Sequence, residues 1–462
     1  MLVQKIQKNI EKIERKLPYS NPTRYLLAVS GGIDSMAMIH IFTVLNKNFS
    51  VAHCNFQLRG DESDKDQQFI KEFCTNNKIP FFTTSFNTSS YSKINKVSTH
   101  EAARKLRYDY FHSLQQEYTF DFIVTAHHSD DNIETFFINI FRKTGLKGLS
   151  GIPILRERTI FRPMLTVSRK EIAQYVSEKS IPFREDSSNL KDDYLRNKIR
   201  HKLIPLITSW DNRHYTNTLS TISNLSDYQC FIDIKLNNFI SLNVRKYCPG
   251  ILYFCYSNLD NNPEDLFLLK LYLLNCGLHS TQASQLTENL HLLKTGNQFY
   301  SDIYSLFYDR ETLFIVDNTF MQKELETRIW NIKESRQITF ENGDRIWVGN
   351  TKKNNGYTIK LDESKIQFPL TIRTWNSGDY FFPEGMESHK KSIKKYFTDE
   401  KVPRFLKHKV RILADQNNNI IAILGMRNDE RFMRNDYKNS LVINFDPAFY
   451  YPFFSSQKNA QE

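Results

Sequence analysis

The chain has 462 residues, 40% of them hydrophobic, with 62 Lys and Arg against 51 Asp and Glu and a net charge of +11. That length supports two or three domains with cores of their own, and no apolar run of the kind that spans a membrane is present. The six cysteines, at 54, 74, 230, 248, 255 and 276, form no Cys-x-x-Cys pair, which argues against an iron–sulfur or zinc site and against a disulfide framework.

The first helix candidate, Leu2 to Leu17, carries Lys5, Lys8, Glu11 and Lys12 among its apolar positions. It is therefore no secretory signal, and a cytoplasmic protein is expected. An apolar run from Tyr25 to Val29 leads into Ser30-Gly31-Gly32-Ile33-Asp34-Ser35, and an apolar-periodic segment follows through Met36, Ile39 and Val44. This order reads as strand, tight glycine turn, helix. Two glycines let backbone amides approach an anion, and the helix turns its positive end toward the same place. Ser30 and Ser35 add hydroxyl groups, and Asp34 can hold Mg²⁺ or orient a nucleophile. The chain contains no Gly-Lys dipeptide and no GxGxxG, so neither the GxxxxGK[ST] phosphate loop nor a dinucleotide fold fits.

Strand patterns then recur at Phe49–Phe56, Pro80–Phe86 and Phe120–Ala126, separated by helical patterns to about Asn77 and over Glu101–Gln116. Such alternation predicts parallel β-α units in a doubly wound sheet. Ligands bind such sheets at the carboxyl ends of strands, where Ser30, His53, Asn55 and His127 fall. The stretch Thr125-Ala126-His127-His128-Ser129-Asp130-Asp131-Asn132-Ile133-Glu134-Thr135 leaves the last strand and enters a helix. His127 and Asp131 are four apart, on one helical face, where they can bind a cation or take a proton. The plainer reading is an acidic helix start that satisfies the dipole; the glycine loop at the same sheet edge favours the chemical one.

Phe141 to Lys170 holds eight basic residues and one acidic residue. Its loop, Gly145 to Pro153, has glycines every three residues and cannot be a helix interior at small cost. Basic flanks beside a nucleotide loop point to a polyanion larger than ATP. Pro182–Asn189 leads to a helix with Arg196, Asn197, Arg200 and Lys202, for which a solvated face and RNA contact are even rivals. From Thr216 to Ile315 the periodicity is helical and Leu-rich, clearest over Glu264–Leu274, and reads as an all-α domain. Strand patterns return at Ile338–Phe340, Arg345–Val348, Tyr357–Leu361, Leu370–Arg373, Ile412–Ala414 and Ile420–Leu424. The Lys390–Phe397 stretch and the basic run Lys401–Arg411, with Phe405 among its charges, suit nucleic acid; a charged sheet edge is the competing explanation.

Ser30–Ser35 resembles the SGGxDS loop of the PP-loop ATP pyrophosphatases. With His53–Asp66, Glu101–Tyr108, Thr125–Thr135, Gly145–Pro153, Arg162–Leu165, Pro182–Asn189, Arg196–Pro205 and Lys394–Leu406, the chain resembles the tRNA(Ile)-lysidine synthetase family over nearly its whole length. The RNxxR helix and the YFTDEKVPRF stretch narrow the likeness to that family. Val410-Arg411-Ile412-Leu413 departs from it, standing where an apolar stretch beginning with Pro is usual.

The resemblance implies a PP-loop catalytic domain over 1–212, a helical tRNA-binding domain over 213–318 and a small α+β tRNA-binding domain over 326–454. It implies adenylation of O2 of the wobble cytidine in CAU-anticodon tRNA(Ile), then displacement of AMP by the ε-amine of free L-lysine. ATP and Mg²⁺ are the implied cofactors, Asp34 is the expected metal ligand, and a homodimer is expected. Ser30, Gly31, Gly32, Ile33, Asp34, Ser35 and His53 would bind ATP. Asp34, His127 and Asp131 would be catalytic, with Asp131 the first candidate for the lysine amine and Asp34 its rival. Asn55, Arg59, Arg104, Arg107, Lys147, Arg196, Arg200, Lys394, Lys395 and Arg404 would meet tRNA. The competing readings are another PP-loop tRNA-modifying enzyme, such as a 2-thiolase that would want paired cysteines, and a non-catalytic nucleotide- or RNA-binding protein.

Overall fold

The structure, a computed structural model, describes residues 1–15, 22–184, 195–211, 213–255, 259, 262–349, 356–386, 389–434 and 440–448. The end of the expected first helix (residues 16–17), residues 185–189 and the tail after Phe454 lie outside them. The chain divides into two compact units, Met1–Ile232 and Asp233–Glu462.

In the first unit α1 (Leu2–Glu14) buries Leu2, Ile6, Ile10 and Ile13, the three- and four-residue spacing of one helical face. There follow β1 (Arg24–Ala28), α2 (Ile33–Val44), β2 (Asn48–Asn55), α3 (Asp61–Asn76), β3 (Phe81–Ser85), α4 (Thr88–Asn95), α5 (Thr99–Tyr118) and β4 (Phe122–Thr125). After them come α6 (Ser129–Phe141), α7 (Leu146–Leu149), β5 (Leu155–Arg156), β6 (Ile160–Phe161), α8 (Arg169–Glu178), α9 (Leu195–Lys198), a π-helical turn over Ile199–Leu203, α10 (Ile204–Trp210) and α11 (Arg213–Asn243). The sheet order is β3-β2-β1-β4-β6-β5. Every pairing is parallel except β5 with β6.

Both faces of this sheet are covered, as a parallel sheet requires. One face packs Ile6, Met36, Phe42, Ile70, Ile172 and Val176, from α1, α2, α3 and α8. The other packs Leu26, Ala52 and Ile123 against Phe111 and Leu114 of α5. Strand order reverses between β1 and β4, so the loops that leave these two neighbours open side by side at the carboxyl edge. The doubly wound reading holds, and the expected strands sit within about three residues of the observed ones.

In the second unit β7 (Val244–Cys248), β8 (Ile251–Cys255), β9 (Gln298–Tyr300), β10 (Tyr304–Asp309) and β11 (Thr312–Asp317) form an antiparallel sheet ordered β7-β8-β11-β10-β9. The helices α12 (Pro263–Asn275) and α13 (Ser280–Glu288) pack on it through Leu269, Leu273, Ala283 and Leu286. The middle segment is thus helical where the Leu periodicity is clear, but the all-α reading gives way at this sheet. Ile251–Cys255 and Leu313–Val316 are unbroken apolar runs, which periodicity alone cannot assign to strand or helix. The later strands lie where expected, including Gln337–Thr339, Arg345–Val348, Tyr357–Leu361, Leu370–Thr374, Arg411–Ala414 and Ile420–Ile423. Phe405 is a second correction. It is buried, stacking on Phe307 at 4.5 Å and meeting Phe314 at 5.2 Å, so it joins two sheets of this unit and presents no ring to a base.

Phe122 lies fully buried between Tyr25, 5.7 Å away, and Phe161, 5.6 Å away. Phe122→Ala is expected to cost about 3–5 kcal/mol, measured as an earlier urea transition followed by circular dichroism.

Candidate active site

The turn after β1 is shaped by what each position tolerates. Gly31 has φ +90°, a backbone conformation that glycine adopts without strain. Its N–H donates to Ser35 Oγ at 3.2 Å, and its carbonyl accepts from the Arg184 N–H at 3.0 Å. Ser30 Oγ and Ser35 Oγ lie 3.3 Å apart. Gly32 caps α2 with no side chain, which leaves the first-turn amides open to an anion. Beneath the turn, His53 Nδ1–H donates to the Val29 carbonyl at 2.9 Å. Its Nε2 is buried without a partner, and burial keeps the ring neutral, so a hydrogen-bond acceptor waits there.

From the neighbouring strand, α6 brings the acids. His128 is buried, with Nε2 3.7 Å from Asp34 Oδ2 and 3.5 Å from Asp131 Oδ2, and Nδ1 3.6 Å from Asp130 Oδ2. Burial opposes its charge, but the three surrounding carboxylates prevail and raise its pKa. Asp34 behaves in the opposite way: burial lifts its pKa against the pull of His128 and Arg169, and its Oδ1 has no partner. In Asp131 burial is overcome by His128 and Arg196, which hold the carboxyl below its usual range. Asp130 is held at about 2 despite burial, by His128, the Arg169 N–H and Tyr215.

Two arginines complete the cluster. Arg196 donates from Nη2 to Asp131 Oδ1 at 2.6 Å and from Nε to Glu134 Oε2 at 2.6 Å. Arg200 donates from Nε to Glu134 Oε1 at 2.5 Å and reaches Asp131 Oδ1 at 3.4 Å. Glu134 is completely buried, so both of its oxygens are neutralised inside the protein. The π-helical turn that carries Arg200 follows α9, which carries Arg196.

These contacts redistribute the expected roles. Ser30, Gly31, Gly32, Ile33, Asp34, Ser35 and His53 stay together at the turn. Asp131 has both oxygens engaged, by the arginines and by its own helix start, where the His128 N–H donates at 3.0 Å; it is not the free base expected. His127 bonds Thr125 Oγ1 at 2.8 Å through Nδ1, and burial holds its pKa near 4. Arg196 and Arg200 grip catalytic-site acids rather than standing free for RNA. Asn55 is buried, its amide spent on Asp64, Gln67 and the Gln57 N–H, so it offers RNA nothing. Arg59 pairs with Asp66 at 2.8 Å.

Arg104 and Arg107 are exposed on α5, over Tyr108 and Phe56 respectively. Lys147 is exposed on α7, and Lys394, Lys395 and Arg404 are exposed in the second unit. The reading of the chain passed over His128, Asp130, Glu134 and Tyr215. The first three sit inside the stretch singled out, and the three-residue step from Asp131 to Glu134 was the available signal. The basic loop is fixed to the same helix: Asn132 Oδ1 accepts from the Ile152 N–H at 2.7 Å, and Asn139 Nδ2 donates to the Gly148 carbonyl at 2.7 Å.

Comparison with known proteins agrees with this geometry. Residues 2–207 match the PP-loop domain family, and residues 370–444 match the TilS substrate C-terminal domain. A tRNA(Ile)-lysidine synthase of Bacteroides thetaiotaomicron is 32% identical over 445 residues, covering 96% of this chain and 99% of the relative. The chain belongs to the tRNA(Ile)-lysidine synthase family. A Parabacteroides distasonis synthase is 32% identical over 94% of this chain and 98% of its own length. That of Chlorobaculum tepidum is 41% identical over 53% of this chain and 74% of its own length. Members are ligases that use ATP to form lysidine on tRNA(Ile), and this chain is one of them.

Two measurements follow. Glu134→Ala removes the buried acid while Arg196 and Arg200 keep Asp131 and some contact with solvent, and is expected to cost about 1.5–3 kcal/mol in urea unfolding. His127 titrates near 4 when folded against a usual 6.5. The unfolded chain therefore takes up that proton first, and stability falls as pH drops from 6.5 toward 4. His127→Gln is expected to flatten that part of the stability profile.

Proposed function

We propose that the turn Ser30–Ser35 holds the pyrophosphate of ATP while O2 of the wobble cytidine attacks the α-phosphorus, and that the ε-amine of free L-lysine then attacks C2 and expels AMP. Adenylation is needed because the carbonyl oxygen is a poor leaving group until it is esterified. The observation that carries this reading is the single imidazole of His128, which stands within 3.7 Å of both Asp34 from the turn and Asp131 from α6. Phosphate loop and acidic helix are therefore one site.

Within it, Ser30, Ser35 and the open amides of α2 would stabilise negative charge on the departing pyrophosphate. The unpartnered Nε2 of His53 would accept a hydrogen bond from the nucleotide. Mg²⁺ fits the unpartnered, buried Oδ1 of Asp34. Among the described residues no group of three or more His, Cys, Asp or Glu is arranged to hold a metal, and Mg²⁺ commonly takes one or two carboxylates together with substrate phosphates. When bound, it neutralises phosphate charge. Asp34, rather than the fully engaged Asp131, would then face the ammonium of lysine once pyrophosphate has gone. Arg104, Arg107 and Lys147 are exposed cations suited to RNA phosphates, and the segments 213–318 and 326–454, with Lys394, Lys395 and Arg404, would hold the rest of the tRNA. We propose a homodimer, as the resemblance implies it. A cytoplasmic setting agrees with the absence, among the described residues, of a helix long and apolar enough to cross a membrane.

The test mixes protein, ATP, Mg²⁺ and radiolabelled lysine with CAU-anticodon tRNA(Ile) or with a methionine tRNA. Label should enter the first only, and Asp34→Asn should lower pyrophosphate release at least about 100-fold. Equal labelling of both RNAs, or undiminished release by the variant, would overturn the assignment.

A further inference from the structure

Tyr215 lies at the start of α11, outside the segment 1–212 expected to form the catalytic domain, yet its hydroxyl reaches the catalytic cluster. It donates to Asp130 Oδ2 at 2.8 Å and sits 2.7 Å from Ser129 Oγ. The same Asp130 oxygen accepts from the Arg169 N–H at 2.9 Å and from Ser129 Oγ at 3.5 Å, and faces His128 Nδ1 at 3.6 Å. On the far side of that ring, Nε2 faces Asp34 and Asp131. A row of polar groups thus runs from Tyr215, hydrogen-bonded to Asp130, across His128 to the two carboxylates, the ring meeting all three acids at ion-pair distance.

The ring of Tyr215 is anchored independently of its hydroxyl. It packs with Leu219 and Ile222 of α11 against Ile133, Phe136 and Phe137 of α6 and Ile199 and Ile204 beyond them. This apolar contact positions α11 on α6, and the hydroxyl then adds one directed bond to a carboxylate whose other neighbours leave it little freedom. An imidazole is symmetric enough to rotate about its Cβ–Cγ bond unless something defines one edge. Here Nδ1 makes no hydrogen bond, and the charge of Asp130, 3.6 Å away, favours that edge while Nε2 stands 3.7 Å and 3.5 Å from Asp34 and Asp131.

We infer that Tyr215 and Asp130 are positioning residues that fix the His128 ring, and through it the relative placement of Asp34 and Asp131, for lysidine formation. The inference rests on the reading of Asp34 and Asp131 given above. Neither Tyr215 nor Asp130 touches the reacting atoms; they act through His128.

The experiment measures steady-state lysine incorporation by wild type, Tyr215→Phe, Asp130→Asn and the double variant, with melting temperatures recorded alongside. Phenylalanine keeps the ring in its apolar seat, so the Tyr215→Phe melting point should stay near that of wild type. The kcat is expected to fall about tenfold, the scale of one hydrogen bond to a charged group, with the KM for ATP unchanged. Because both residues act on the same ring, the double variant should lose no more than the worse single variant. Wild-type kcat in Tyr215→Phe, or losses that multiply in the double variant, would overturn the inference. A wild-type protein that incorporates no lysine would instead sink the functional reading.

Discussion

The site depends on how the first unit keeps two carboxylates, Asp131 and Glu134, buried. Asp131 and Glu134 sit one helical turn apart on α6, and each would be costly to bury alone. Arg196 and Arg200 reach both, with five bonds at or below 3.4 Å, and the buried His128 ring stands against Asp131 from the helix start. Such a network adds little net stability compared with apolar packing, but it is intolerant of losing one member. Its value lies in direction. With Glu134 saturated and both oxygens of Asp131 engaged, Asp34 keeps its buried Oδ1 without a partner.

The sheet supplies the frame for this selection. Reversal of strand order between β1 and β4 places two loops side by side that are nearly 100 residues apart in the chain. One loop is built for anions, from glycines and open amides; the other begins with acids. Opposite preferences at one edge suit a reaction in which a polyanion departs and a cationic amine arrives.

Much of this was legible in the residues. The order of strands and helices followed from periodicity, because buried parallel strands and their covering helices have distinct apolar patterns. The hexapeptide and the acidic helix start could be placed at one edge for the same reason. What could not be read was pairing. Arg196 and Arg200 look like any basic helical face until the fold folds them back on α6. Asn55 looks like a polar loop residue until its neighbours Asp64 and Gln67 consume its amide. Phe405 sits among lysines in the chain but is turned inward, since a 3₁₀ turn over Arg404–Lys409 sends Phe405 and Leu406 to the core, leaves Arg404 and His408 exposed and holds Lys407 and Lys409 half-buried. Tyr215 escaped notice because a lone tyrosine carries no motif; its partner is 85 residues away. In the middle sheet, Ile251–Cys255 and Leu313–Val316 were too uniformly apolar to reveal a period.

The asparagines of α6 carry a last consequence. Asn132 and Asn139 hold the glycine-rich basic loop from one side of a helix whose adjoining side bears Asp131 and Glu134, and Gly151 lies so close to Asn132 that a Cβ would come within 2.3 Å of its oxygen. A single rigid rod thereby sets the spacing between a cationic surface and the acids. Its pitch of about 5.4 Å per turn is the unit of measure. One residue inserted between Glu134 and Asn139 would swing Asn139 about 100° around the axis relative to the acids. The length of this helix is therefore constrained by registration as well as by packing, as the distance between two marks on a gauge is constrained.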